Sequence, residues 1–134
     1  MSGGILIVED HDATRAILKT WLEMAFPQCA IFEAVSGEEA VTLAHLQCLD
    51  AILMDIELPG IKGLEATRRI NADALGTPII IVSIHDGDAY RADAAAAGAA
   101  YFVSKRAMRT ELLPILTAAL AVRTSDPEQR RTSG

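Results

Sequence analysis

The chain has 134 residues and a mass of 14.3 kDa, which suits one domain and is too short for two separate cores. Hydrophobic residues make up 51% and charged residues 22%, a balance that excludes a disordered chain. Lys and Arg number 12 against 18 Asp and Glu, a formal charge of -6, so direct nucleic-acid binding by this domain is not expected.

In chain order, five apolar runs alternate with five helix-like stretches. The first run covers residues 4–8 and ends abruptly at Glu9 and Asp10. A helix follows from Asp12, with Ile17, Leu18, Trp21, Leu22 and Ala25 near the helical period, until Pro27 stops it. The weaker second run, 30–35, leads to Ser36 and Glu39, a capping box for a helix with Ala40, Val41, Leu43 and Ala44 on its inner face. The third run, 51–54, meets Asp55 at once, and a helix over 62–75 is closed by Gly76 and Pro78. The fourth run, 78–82, is followed by Ser83 and a helix over 86–97 that Gly98 ends. The fifth, 100–103, is followed by Ser104 and Lys105. The last helix carries Leu112, Leu113, Leu116, Ala119 and Leu120, with Pro114 expected near its start, because a deeper proline loses a hydrogen bond and clashes. Residues 1–122 thus form the domain, and 123–134 read as a polar tail or a truncated linker.

Continuous rather than alternating apolar runs point to strands buried on both faces, hence an α/β domain with a parallel sheet and right-handed crossovers. No apolar run approaches transmembrane length and the N-terminus lacks a signal-peptide pattern, so a soluble cytoplasmic protein without a membrane partner is expected. Cys29 and Cys48 have no CxxC spacing and read as free, half-buried thiols of a reducing compartment. His11, His45 and His85 are too scattered to suggest zinc, and Gly3-Gly4 precedes the first strand with no GxGxxG after it, which disfavours a dinucleotide site.

Ligands of such sheets bind outside the carboxyl ends of the strands. Glu9, Asp10, Asp55, Ser83 and Lys105 each sit at such an end. Any one of them alone reads as a solvated loop residue; five in the same relative place do not. Clustered carboxylates repel and raise one another's pKa values, and a hard cation such as Mg2+ relieves the conflict. Asp55 stands alone at its strand end as the natural nucleophile, and its carboxylate can take a phosphoryl group. Lys105 can bind that group's oxygens as a point charge, and Ser83 can donate a hydrogen bond to it.

Four segments carry a family resemblance: Ile-Leu-Ile-Val-Glu9-Asp10-His-Asp, Ile-Leu-Met-Asp55-Ile-Glu-Leu-Pro59-Gly60, Ile-Ile-Ile-Val-Ser83-Ile-His-Asp and Ala-Gly98-Ala-Ala-Tyr-Phe102-Val-Ser-Lys105. Over residues 4–122 the chain resembles the receiver domain of two-component response regulators. The resemblance implies a flavodoxin-like doubly wound (βα)5 fold, with a five-stranded parallel sheet in the order 2-1-3-4-5. It implies Asp55 as phosphoacceptor and Glu9, Asp10, Asp55 and the backbone carbonyl of Glu57 as Mg2+ ligands. It further implies Ser83, Phe102 and Lys105 as the groups that contact or report the phosphoryl group. Glu57 and His85, two positions after Asp55 and Ser83, match positions that tune phosphoryl lifetime, or are solvent-facing variation. Pro59, Gly60 and Gly63 shape the loop after Asp55. The resemblance also implies a histidine kinase or a histidine phosphotransfer protein as donor, and a domain that acts on no substrate beyond its own phosphorylation and dephosphorylation.

Many receivers place a proline, often after a cis bond, behind the lysine; here Arg106 follows and a trans bond is expected. This variant is most similar to receivers joined to LuxR-type helix-turn-helix domains, so both a stand-alone regulator and the receiver part of a DNA-binding regulator remain open. The alanine-rich fourth helix (Ala89, Ala92, Ala94 to Ala97) offers a flat surface for a homodimer or an output contact, or simply reflects helix propensity. Two other readings use the same residues. A haloacid-dehalogenase-type phosphatase also has a strand-end Asp, but its Asp-x-Asp would here be Asp55-x-Glu57, and Glu9-Asp10 is not its arrangement. A receiver-like interaction module would work without phosphorylation.

Overall fold

The computed structural model describes residues 3–73 and 76–124. The elements are β1 (Gly4–Val8), α1 (Asp12–Ala25), β2 (Ala30–Ala34), α2 (Gly37–Leu46), β3 (Ala51–Met54), α3 (Gly63–Ala72), β4 (Ile79–Ser83), α4 (Asp88–Ala97), β5 (Tyr101–Ser104) and α5 (Met108–Thr124). A short 3-10 turn, Lys105–Ala107, joins β5 to α5. All strand pairs are parallel, in the order β2-β1-β3-β4-β5, the flavodoxin-like arrangement the resemblance implies.

The burial pattern explains which runs were easy to read. Every residue of β1, β3 and β4 is buried, because helices cover both faces of the central strands. The edge strand β2 keeps four of its five residues at least partly exposed, which accounts for its weaker apolar run. Successive strand residues feed opposite faces. Leu6, Val8, Ile52, Met54, Ile79 and Ile81 pack with Ala40, Ala66, Ile70 and Ala94 of α2, α3 and α4. Ile5, Ile7, Leu53, Ile80, Val82 and Val103 pack with Leu18, Leu22, Leu112 and Leu116 of α1 and α5.

Trp21 and Tyr101 pack at the rim of the second core, as residues of packing rather than chemistry. In α4, Ala94 and Ala97 face the core while Ala89, Ala92, Ala95 and Ala96 are exposed.

The Ser36 cap forms: its hydroxyl accepts the Glu39 N–H at 3.1 Å, while the Glu39 carboxylate accepts the N–H of Val35 at 3.0 Å. Ser36→Ala should therefore cost about 1 kcal/mol of stability in urea unfolding. An unchanged midpoint would show that the cap contributes nothing.

Four expectations need correction. Pro114 lies six residues inside α5, which opens at Met108. It is exposed there, so the Thr110 carbonyl that loses its N–H partner is on the water side rather than in the core. Cys48 is exposed, and only Cys29 is half-buried, where burial raises its thiol pKa. The fourth helix opens at Asp88 with Gly87 as its cap, two residues later than expected. The expected trans bond after Lys105 is present, since no cis peptide occurs among the described residues. The third helix ends at Ala72 with Asp73 as its C-cap, short of the expected 75; residues 74–75 lie outside the described residues, as do 125–134. Among the described residues no helix is long and apolar enough to cross a membrane.

Candidate functional site

Strand register brings the charged residues together. Val8 pairs with Met54, so Glu9 and Asp55 leave adjacent strands at the same level. Ser83 pairs with Ser104, so Lys105 leaves β5 directly beside the end of β4. Glu9 is 2% and Asp55 6% exposed, whereas Asp10 faces solvent. Carboxylate oxygens of these three residues lie within 4.8 Å of one another.

The Lys105 ammonium bridges the pair, at 2.8 Å from Glu9 Oε1 and 3.2 Å from Asp55 Oδ2. The other Asp55 oxygen accepts the N–H of Glu57 at 3.2 Å, and Glu9 Oε2 accepts the N–H of His11 at 3.1 Å. Burial, and then the neighbouring Glu9 charge, push the Asp55 carboxyl up to about 6 against the opposing pull of Lys105. Burial alone would lower the Lys105 pKa, but its hydrogen bond to Glu9 and the Asp55 charge outweigh it and the net shift is upward. The site therefore holds two buried acids with one half-buried base, short of charge balance by one positive unit before the exposed Asp10 is added.

That donor set suits a hard divalent cation: oxygen ligands, an open solvent side at Asp10, and an excess of negative charge.

The loop after Asp55 is shaped by close approach. Gly60 has φ +73°, the left-handed region that glycine enters without a Cβ clash. A Cβ on Gly63 would sit 1.9 Å from the Asp55 carbonyl oxygen. Ser83 is fully buried, and its hydroxyl accepts the N–H of His85 at 3.0 Å. No hydrogen bond joins it to Asp55 or Lys105 among the described contacts.

Glu57 extends outward between His85, at 3.7 Å, and Lys62, at 3.8 Å. His85 stacks on Tyr90 with ring centroids 4.8 Å apart. Phe102 stands apart from the acids, half-exposed, with the Arg91 guanidinium 4.7 Å from its ring centroid.

Two arginines without a role in the sequence reading reach this region. Arg91 lies over Phe102, and Arg15 donates to the backbone carbonyl of Glu9 at 2.9 Å. A lone helical arginine reads as a solvated face, and nothing in the local pattern marks either contact.

Fold and site together define a parallel α/β switch domain with a strand-end aspartate, an acidic pocket and an apposed lysine. Residues 5–117 match the family model of the response regulator receiver domain, and the chain belongs to that family. It is 37% identical over 109 residues to the response regulator UvrY of Escherichia coli K12, covering 81% of this chain and 50% of that protein. It is 31% identical to the response regulator GacA of Pseudomonas aeruginosa, again over 81% of this chain and 51% of the relative. The chain thus spans about half the length of these relatives.

A LuxR-family two-component response regulator from Aurantimonas sp. SI85-9A1 superposes with a TM-score of 0.83 at 34% identity, over 90% of this chain and 86% of that one. This accords with the resemblance to receivers of the LuxR-type class. The receiver domain of a sensor histidine kinase from Pseudomonas aeruginosa PAO1 superposes with a TM-score of 0.80 at 30% identity, over 90% and 99% of the two chains. That structure has a magnesium ion coordinated in its active-site cleft.

Proposed function

We propose that this domain is a phosphorylation switch in which Asp55 accepts a phosphoryl group from a histidine kinase or a histidine phosphotransfer protein. The observation that carries the reading is the buried Asp55 carboxylate at the end of central β3, paired with Lys105 and flanked by Glu9 and Asp10. An Asp55 oxygen attacks the phosphorus, the phosphorus–nitrogen bond to the donor imidazole breaks, and its electron pair returns to that nitrogen. The product is an acyl phosphate.

Glu9, Asp10, Asp55 and the Glu57 backbone carbonyl would hold Mg2+, which when bound screens carboxylate and phosphoryl charge. Lys105 turns its ammonium from the carboxylates toward the phosphoryl oxygens. Ser83 accepts the His85 N–H and so keeps its own proton for donation to the same oxygens. Phe102 transmits the change to the outer face of β5, and Glu57 and His85 at the mouth set how easily water reaches the acyl phosphate. The domain acts on its own phosphoryl group alone and works in the cytoplasm. Residues 1–122 are the receiver and 123–134 a tail or linker, with α5 running two residues past that boundary to Thr124. A stand-alone regulator and the receiver part of a DNA-binding regulator both fit, and the switched surface contacts a partner, an output domain or a second copy.

Incubation with acetyl phosphate and Mg2+ should give one phosphoryl adduct by intact mass, absent without Mg2+ and absent in Asp55→Asn. If neither an adduct nor beryllofluoride binding is seen with Mg2+ present, the phosphorylation-independent interaction module becomes the better reading.

A further inference from the structure

We infer that Arg15 is a positioning residue of the acidic site, a three-way clamp that sets the backbone from which Glu9 and Asp10 reach a cation. The inference rests on the proposed Mg2+ site. Glu9 is the first residue beyond β1. Its N–H still joins the sheet, bonding the Ala34 carbonyl at 3.0 Å. The Val8 carbonyl still accepts the Asp55 N–H at 3.1 Å. The Glu9 carbonyl lies past the ladder, and Arg15 Nη1 supplies its donor at 2.9 Å.

The same guanidinium is fixed at two further points. Nη2 lies 2.8 Å from Asp12 Oδ1, and Nε lies 3.1 Å from Glu33 Oε1 on β2. Its side chain is only 17% exposed, and its backbone N–H bonds the His11 carbonyl at 3.0 Å. A planar fork held at three acceptors has little freedom, so the carbonyl it grips has little either. That carbonyl belongs to the peptide leading into Asp10, and its orientation sets where the exposed Asp10 carboxylate points. Asp12 and Glu33 neutralise the guanidinium, so its contribution is geometric rather than a charge offered to the pocket.

The sign of the effect separates the two roles. Deleting a positive charge near a cation site should tighten Mg2+ binding by electrostatics alone. Loss of a clamp should weaken it, by about tenfold if Arg15 behaves like other outer-shell groups.

The test is a MgCl2 titration followed by amide NMR shifts of the β1–α1 and β3–α3 loops. It is run on wild type, Arg15→Ala, Arg15→Lys and Lys19→Ala, well below each unfolding temperature. Lys19 shares the Glu33 carboxylate at 3.2 Å but does not touch Glu9 in any described contact. Arg15→Ala should raise the Mg2+ Kd about tenfold while the acetyl phosphate reaction at saturating Mg2+ changes little. Arg15→Lys, with one point donor in place of the fork, should fall between. Lys19→Ala should match wild type.

An unchanged or lower Kd in Arg15→Ala overturns the inference, as does complete rescue by lysine or an equal loss in Lys19→Ala. If Arg15→Ala does not fold, Arg15→Lys decides: a wild-type Kd overturns the clamp, and a raised one supports it. Absence of any Mg2+ response in wild type counts against the proposed site itself.

Discussion

Asp55→Asn is expected to make the protein more stable at neutral pH, not less. The Asp55 carboxyl is held up at about 6 by burial and by Glu9, so ionising it at pH 7 costs folding free energy. Folded Asp55 binds its proton more tightly than the unfolded chain does, whose carboxyl titrates near 3.8. Its contribution is therefore most favourable below about pH 4, declines as pH rises to about 6, and stays unfavourable above. Asparagine carries no such slope, and Lys105 keeps Glu9 as its partner at 2.8 Å.

The gain over wild type should be on the order of 1–3 kcal/mol above pH 6 and shrink toward zero near pH 4. Urea unfolding of the two proteins at pH 4, 5, 6 and 7.5 measures it. A gap independent of pH would mean that Asp55 is not strained by its charge. Saturating Mg2+ should narrow the gap at pH 7.5, because the wild type, with its full set of carboxylates, gains more from the ion. A ligand at a hundred times its Kd adds about 2.7 kcal/mol.

The same strain explains why this site could be read from the chain. A buried charge is costly, so hydrophobic runs that end abruptly in Glu9-Asp10, Asp55 or Lys105 are chemically conspicuous. In a parallel sheet those ends all face one edge, which made five separate positions legible as one site. The central strands were equally plain, because burial on both faces removes the polar alternation.

Contacts that arise only when distant elements converge left no such trace. Arg15 meets a β1 carbonyl and a β2 carboxylate, and Arg91 meets Phe102 across α4 and β5. Helix ends were shifted where local signals compete. Asp86 looks like the first helical residue, yet Gly87 caps the helix and the Asp86 carbonyl accepts Arg91 Nε at 3.2 Å. Pro114 misled for a related reason: a proline inside a helix is tolerable when the carbonyl it strands faces water.

Gly63→Ala should be the most damaging single methyl in the loop that follows Asp55. Its Cβ would meet the Asp55 carbonyl oxygen at 1.9 Å, the carbonyl carbon at 2.8 Å and the Ile56 Cα at 3.0 Å. All three are backbone atoms, so no side chain can turn aside. The Gly63 N–H is also pinned to the Ile56 carbonyl at 3.0 Å, and its carbonyl accepts the buried Thr67 hydroxyl at 2.8 Å. Relief requires α3 to slide away from β3 or the Asp55 peptide to rotate. The first loses core contacts of Ala66 and Ile70, and the second moves the carboxylate from Lys105.

A cost of about 3 kcal/mol is expected, at the upper end for overpacking and a large share of a small domain's stability. Gly60→Ala provides the contrast. Its Cβ would meet the Glu38 carboxylate, the movable end of a long side chain, and the cost there is the left-handed backbone, about 1–2 kcal/mol. Urea midpoints should therefore fall in the order wild type, Gly60→Ala, Gly63→Ala. At temperatures where Gly63→Ala remains folded, acetyl phosphate should label Asp55 more slowly, because the strain falls on the peptide that carries it. Reversal of the two midpoints would mean that α3 yields easily and that the packing of Gly63 against Asp55 does not hold that carboxylate in place.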